Sequence, residues 1–80
     1  MYTAEVRIEL KPGILDAEGK TTKHALELLG FKTIKSVKSI KFFQIELDAI
    51  SKEDAMQELE AACKRLLANP VVNNYSIKLL

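Results

Sequence analysis

Eighty residues with 12 Lys+Arg against 11 Asp+Glu carry a formal net charge of +1, which gives no general electrostatic reason to seek nucleic acid or anionic lipid. One cysteine, Cys63, and one histidine, His24, exclude an internal disulfide and fall short of a zinc site. A single domain over 1–80 has a thin core, with on the order of a third or more of the unfolded surface left exposed, so self-association or a partner is expected to supply the missing burial.

From Tyr2 to Lys11 the chain alternates, with Tyr2, Ala4, Val6, Ile8 and Leu10 on one side and Thr3, Glu5, Arg7, Glu9 and Lys11 on the other. That period predicts a half-buried strand, ended by Pro12-Gly13 because proline donates no ladder hydrogen bond and glycine turns freely. The same charges leave no apolar leader core near the start, and no run approaches the ~20 apolar residues of a membrane span. The expected location is therefore cytoplasmic.

The next stretch, GILDAEGKTT from Gly13 to Thr22, approaches the phosphate-loop pattern G-x-x-x-x-G-K-[ST], but Gly13 and Gly19 enclose five residues rather than four. Asp16 is placed to cap a helix that starts before Lys20, and Asp16 with Glu18 would crowd a phosphate. The stretch reads as a strand-to-helix junction in which Gly19 permits close packing. Thr22, Ala25, Leu26 and Leu29 then recur at helical spacing and Gly30 stops the helix, which is predicted over about 17 to 29.

Between Lys32 and Asp48 the β-branched and aromatic content rises. Phe43, Ile45 and Leu47 alternate with Gln44, Glu46 and Asp48, predicting one strand. Thr33 to Lys38 is expected to form another, although Ile34 and Val37 stand three apart, and a turn or bulge near Ser39-Ile40 would join the two as a hairpin. Ser51 caps a second helix with Asp54 three residues on; its stripe is Ala55, Leu59, Ala62, Cys63, Leu66 and Leu67, and Asn69-Pro70 closes it. Tyr75, Ile77 and Leu79 alternate with Ser76, Lys78 and Leu80 in a last strand.

This order, β-α-β-β-α-β, predicts an α+β fold: a ferredoxin-like two-layer βαββαβ sandwich, with both helices on one face of a mainly antiparallel sheet. The other face would carry Arg7, Glu9, Gln44, Glu46 and Lys78, with Phe42 as its apolar exception. Subunits are then expected to meet through sheet edges or exchanged segments rather than face to face.

No catalytic, cofactor-binding or metal site is predicted in the chain. His24 and Cys63 lie on separate helices without a third group to orient them, and an enzyme in its own right would need both. Lys32, Lys35, Lys38 and Lys41 recur every third residue, yet on strands they scatter over both faces; Tyr2 and Phe43 fall on the inward side, and the run lacks the glycine-spaced aromatic signature of a base-stacking sheet. Nucleic acid is not the expected ligand. The alternative to an assembly domain is a stand-alone ferredoxin-like module that binds RNA or a small ligand.

Leu10-Lys11-Pro12-Gly13-Ile14-Leu15-Asp16, then Gly19, Ala25-Leu26 and Leu29-Gly30-Phe31, resemble the start of the PurS family, the small subunit of phosphoribosylformylglycinamidine synthase. Val37 to Leu47 continues the similarity, and Leu66-Leu67-Ala68-Asn69-Pro70-Val71 with Tyr75 resembles the family's closing segment. The resemblance implies a non-catalytic subunit of an ATP- and glutamine-dependent ligase complex in purine biosynthesis. It implies a homo-oligomer, dimer or tetramer, that bridges a large synthetase subunit (PurL-like) and a glutaminase subunit (PurQ-like), with ATP and magnesium in the large subunit. Lys38 and Lys41 match the basic residues of the family's central turn and are the candidate partner contacts. Ile40 stands where that family has glycine, and isoleucine resists the left-handed backbone that glycine allows.

Overall fold

The computed structural model describes residues 1–80, and its centre is the first strand, β1 (Tyr2–Leu10). Its alternation is realised: Ala4 and Val6 are fully buried and Ile8 nearly so, while Arg7 faces water. β2 (Lys41–Leu47) and β3 (Asn73–Leu79) pair with it antiparallel on either side, in the order β2-β1-β3. Phe43 and Ile77 stand opposite Val6, and Ile45 and Leu79 opposite Ala4, so these four extend the apolar face of β1.

Helix α1 (Ala17–Leu28) begins where predicted, with the Asp16 carboxylate accepting the Gly19 N–H at 2.9 Å. It ends in a Schellman arrangement: Gly30, at φ +96°, donates to the Glu27 carbonyl at 3.0 Å and Phe31 donates to Leu26 at 3.0 Å. Helix α2 (Lys52–Ala62) is capped by Ser51, whose hydroxyl accepts the Asp54 N–H at 3.2 Å. It runs into a π-helical turn over Cys63–Leu67, in which the Ala68 N–H reaches back five residues to Cys63 at 2.9 Å. That turn was not legible in the apolar stripe. It buries Cys63 and Ala68 and leaves Leu66 exposed.

The single chain is therefore α+β, with two helices and a three-stranded antiparallel sheet, and it departs from the predicted layout in two ways. Thr33 to Lys38 forms no strand. The outer edge of β2 stays unpaired, and the segment is instead held against the start of α1, with the Val37 carbonyl over Gly19 and the Ser39 N–H on Asp16.

The second departure concerns α1. A helix between parallel strands must cross the sheet, but β1 and β2 are antiparallel neighbours with Ile8 opposite Lys41. Residues 11–40 are thus an excursion that leaves and returns at one end of the sheet, and α1 is not laid across it. Only α2 covers the apolar face, in a core of Ala4, Val6, Ile8, Leu59, Cys63 and Ala68. Ile40 is accommodated without strain, since no residue other than glycine has positive φ.

Candidate assembly surface

The excursion is closed at its base by a few polar contacts. Besides capping α1, Asp16 accepts the Ser39 N–H at 2.7 Å, and the Ser39 hydroxyl donates to Glu18 at 3.0 Å. The Ser39 amide, then the Gly19 amide and the nearby Lys38 charge, hold the Asp16 carboxyl below its ordinary pKa of 3.8 against a small opposing effect of burial. Gly19 is buried where the returning chain crosses the helix: a Cβ there would sit 2.5 Å from the Val37 carbonyl oxygen. Glycine is required at this point by the close approach of backbone, not by its own φ.

Lys38 and Lys41 are both brought to this end of the sheet. The Lys38 ammonium lies 3.5 Å from Glu9, with its side chain 70 % exposed, so the pair is a solvated one. Lys41 opens β2 and helps to line a cleft of about 340 Å³ with Glu9, Asp16, Glu18, Ser39 and Asn73. Lys32 and Lys35 stand apart from it, on the returning limb of the arm.

On the far side of the cleft, the loop after the π turn is tied to β1. Lys11 donates its backbone N–H to Val72 at 2.8 Å and its ammonium to the Pro70 carbonyl at 2.9 Å. Asn69 accepts the Val71 N–H on its side chain at 3.0 Å, the asparagine turn expected before a helix-breaking proline. β3 is pinned to α2 by the Tyr75 hydroxyl, which donates to Glu60 at 2.6 Å; that carboxylate and partial burial push the phenol up to about 12. Ser39 and Val37 were missed as determinants from sequence, because their partners, Asp16, Glu18 and Gly19, lie across the fold rather than within a local period.

His24 and Cys63 are not brought together. His24 is exposed on α1, whereas Cys63 is buried in the core with its thiol pushed up by burial and by Glu60. Lys20 lies within the first turns of α1, behind the Asp16 cap rather than at a free helix start. No three His, Cys, Asp or Glu side chains converge in a metal-holding group, and no helix is long and apolar enough to cross a membrane.

What the surface does present is apolar. Leu28 and Leu29 are 75 % and 74 % exposed and Phe31 54 %, all at the tip of the excursion. Phe42 is exposed on the outer sheet face and Phe43 is 38 % exposed on the inner one. Apolar groups left in water in this number on so small a chain mark contact with other protein.

These features define a small α+β domain built for docking, with a clasped arm and uncovered apolar faces. Residues 3–80 match the PurS family profile, described as phosphoribosylformylglycinamidine (FGAM) synthase. The PurS subunit of FGAM synthase from Archaeoglobus fulgidus is 51 % identical over 74 residues, covering 92 % of each chain. Its counterpart from Methanocaldococcus jannaschii is 45 % identical, covering 98 % of this chain and 94 % of its own. The crystal structure of that M. jannaschii PurS superposes with a TM-score of 0.89, covering 100 % of this chain and 96 % of its own. A chain from the PurLQS structure of Thermotoga maritima superposes at 0.86 with 26 % identity, covering 99 % of this chain and 96 % of its own. The chain belongs to the PurS family of FGAM synthase subunits.

Proposed function

We propose that this chain is the assembly subunit of phosphoribosylformylglycinamidine synthase in the cytoplasm, bridging the synthetase and glutaminase subunits so that ammonia passes between their active sites. The observation that carries this is the match over residues 3–80 together with a structural neighbour from a PurLQS complex. A chain whose only nucleophilic thiol is buried is suited to positioning rather than chemistry. Its task is proximity: two sites held in fixed relation convert capture of a released molecule into a near-unimolecular event. ATP and magnesium belong, on this reading, to the large subunit.

Lys38 and Lys41 are the proposed contacts with those partners. Both are exposed beside the clasped arm base, where a partner's acidic surface would meet them and steer docking. The chain also self-associates, as dimer or tetramer, and the four-stranded βαββαβ layout is completed only then, when the limb carrying Thr33 to Lys38 finds a neighbour. Reconstitution of the synthase with and without the chain tests the reading. Glutamine-dependent turnover should require the chain and ammonia-dependent turnover should depend on it less, whereas unchanged glutamine-dependent turnover excludes the role.

A further inference from the structure

β3 lies at the side of the sheet opposite β2, and no strand of the chain pairs with its outer edge. At one end of its ladder the Lys11 N–H bonds to the Val72 carbonyl at 2.8 Å, and at the other the Leu80 N–H bonds to Thr3 at 2.9 Å. Both contacts share the register that pairs Ala4 with Leu79, so by the alternation of an antiparallel ladder Asn74, Ser76 and Lys78 turn their backbone groups toward β1. Tyr75, Ile77 and Leu79 turn theirs outward, where no backbone partner meets them. The free edge begins just beyond Asn73, whose N–H is taken by the Asn69 carbonyl at 2.7 Å.

An open edge in water is a template for another strand, and it is commonly blunted by a proline, a bulge or an inward-pointing charge. β3 has none of these. Its seven residues pair with β1 in unbroken register, and Tyr75, Ile77 and Leu79 pack against the core. Its one charged side chain, Lys78, is exposed.

What flanks the edge is basic. At the Asn73 end a hollow of about 560 Å³ is lined by Lys11, Lys64, Pro70, Asn73, Asn74 and Tyr75, with no carboxylate among them. Lys11 is fixed there by its bond to the Pro70 carbonyl, Lys64 is exposed on the π turn, and neither joins any of the three ion pairs of the chain. Glu60, one turn before Lys64, is engaged by the Tyr75 hydroxyl. From Ala61 to Leu80 the chain carries Lys64, Arg65 and Lys78 and no acidic residue. A second copy at this edge would bring the same cations against themselves, and like charges across a strand pair are unfavourable. An extended segment bearing carboxylates satisfies both the unpaired backbone groups and the unpaired ammonium groups.

We infer that the outer edge of β3 takes an extended, acidic segment of one of the two partner subunits as an added strand. Its backbone bonds to Tyr75, Ile77 and Leu79, and one of its carboxylates sits between Lys11 and Lys64. This contact rests on the bridging role proposed above and gives it a second surface. A bridge needs two, and β3 lies across the sheet from Lys41 on β2.

The test is amide exchange, read residue by residue, on the full chain alone and in complex with the synthetase and glutaminase subunits. Tyr75, Ile77 and Leu79 should exchange fast in the free chain and slow by roughly tenfold or more when the partner subunit binds, while Asn74, Ser76 and Lys78, already in the ladder, change little. If the three amides stay fast in a complex that sustains glutamine-dependent turnover, strand addition fails and the bridging role stands. If they are already slow in the free chain, the edge is covered without a partner subunit and the inference is overturned. If neither subunit binds the chain, both fail. Lys64→Glu supplies a second reading: it should weaken binding of the subunit that protects the edge by about tenfold, with the melting midpoint and the sedimenting species of the chain alone unchanged. Binding as tight as that of the unaltered chain overturns the acidic segment.

Discussion

Asp16 and Ser39, 23 positions apart, close the base of a 30-residue excursion through one hydrogen bond of 2.7 Å, and this contact decides where α1 can go. The carboxylate serves two chain segments at once, as helix cap and as clasp. Because its pKa is depressed in the folded state, the contribution of Asp16 is full above the unfolded value of 3.8 and drains away as pH falls through the lower folded one. The Ser39 and Gly19 amide resonances should therefore shift together in acid, below the ordinary carboxylate range. In Asp16→Asn that step should vanish; its persistence would assign it to another group.

Gly19→Ala gives a direct reading of the close approach. In an ordinary helix interior alanine is more favourable than glycine by roughly 1 kcal/mol. Here the added methyl meets the Val37 carbonyl and the Asp16 carboxylate, so overpacking of about 1–3 kcal/mol should win. Thermal melting should show a lower midpoint for the variant, and a raised one would mean that the returning limb yields.

Tyr75 and Glu60 tie the last strand to α2, and their linkage has the opposite sign. A phenol raised from 10.0 to about 12 contributes stability that is complete below 10.0 and lost as pH rises through about 12. In an absorbance titration the component removed by Tyr75→Phe should have its midpoint near 12, and Glu60→Gln should move it down toward 10.0. A midpoint already at 10.0 in the unaltered chain would show that the bond is not held in solution.

Leu59 is 2 % exposed and is the largest side chain in the sheet-facing core. Leu59→Ala should cost about 2–5 kcal/mol in chemical denaturation, from lost transfer energy and the cavity left behind. A loss below about 1 kcal/mol would place the main core elsewhere, under the arm, which the exposure of α1 argues against.

Lys41→Glu tests the proposed partner contact without disturbing the core, since Lys41 is exposed at the start of β2. A reversed charge at an interface rim mainly slows association and alters its salt dependence. Glutamine-dependent turnover should fall when the chain is limiting and recover at higher chain concentration. Equal turnover at every concentration would remove Lys41 from the interface.

Much of this was legible in the sequence, and the parts that were not share a physical cause. The alternation of Tyr2 to Leu10, the Asp16 and Ser51 caps and the Gly30 stop are local signals, and each appears where expected. The missing strand at Thr33 to Lys38 is different in kind, because its propensity is real but the end of the segment is held on α1, Val37 over Gly19 and Ser39 bonded to Asp16, and the outer edge of β2 stays unpaired. The position of α1 likewise depends on β1 and β2 being antiparallel neighbours, which no residue period reveals. Of the candidate site, the lysines could be listed, but not the clasp beside them: Ser39 looked like an ordinary turn residue, and its partners lie 23 and 21 positions back.

The central claim is tested most directly by reconstituting the synthetase and glutaminase subunits and measuring formation of the amidine from glutamine as this chain is titrated in. The account predicts turnover that is negligible without the chain and saturates at a fixed ratio to the other subunits, with ammonia-dependent turnover much less affected. Glutamine-dependent turnover that is the same with and without the chain would contradict it.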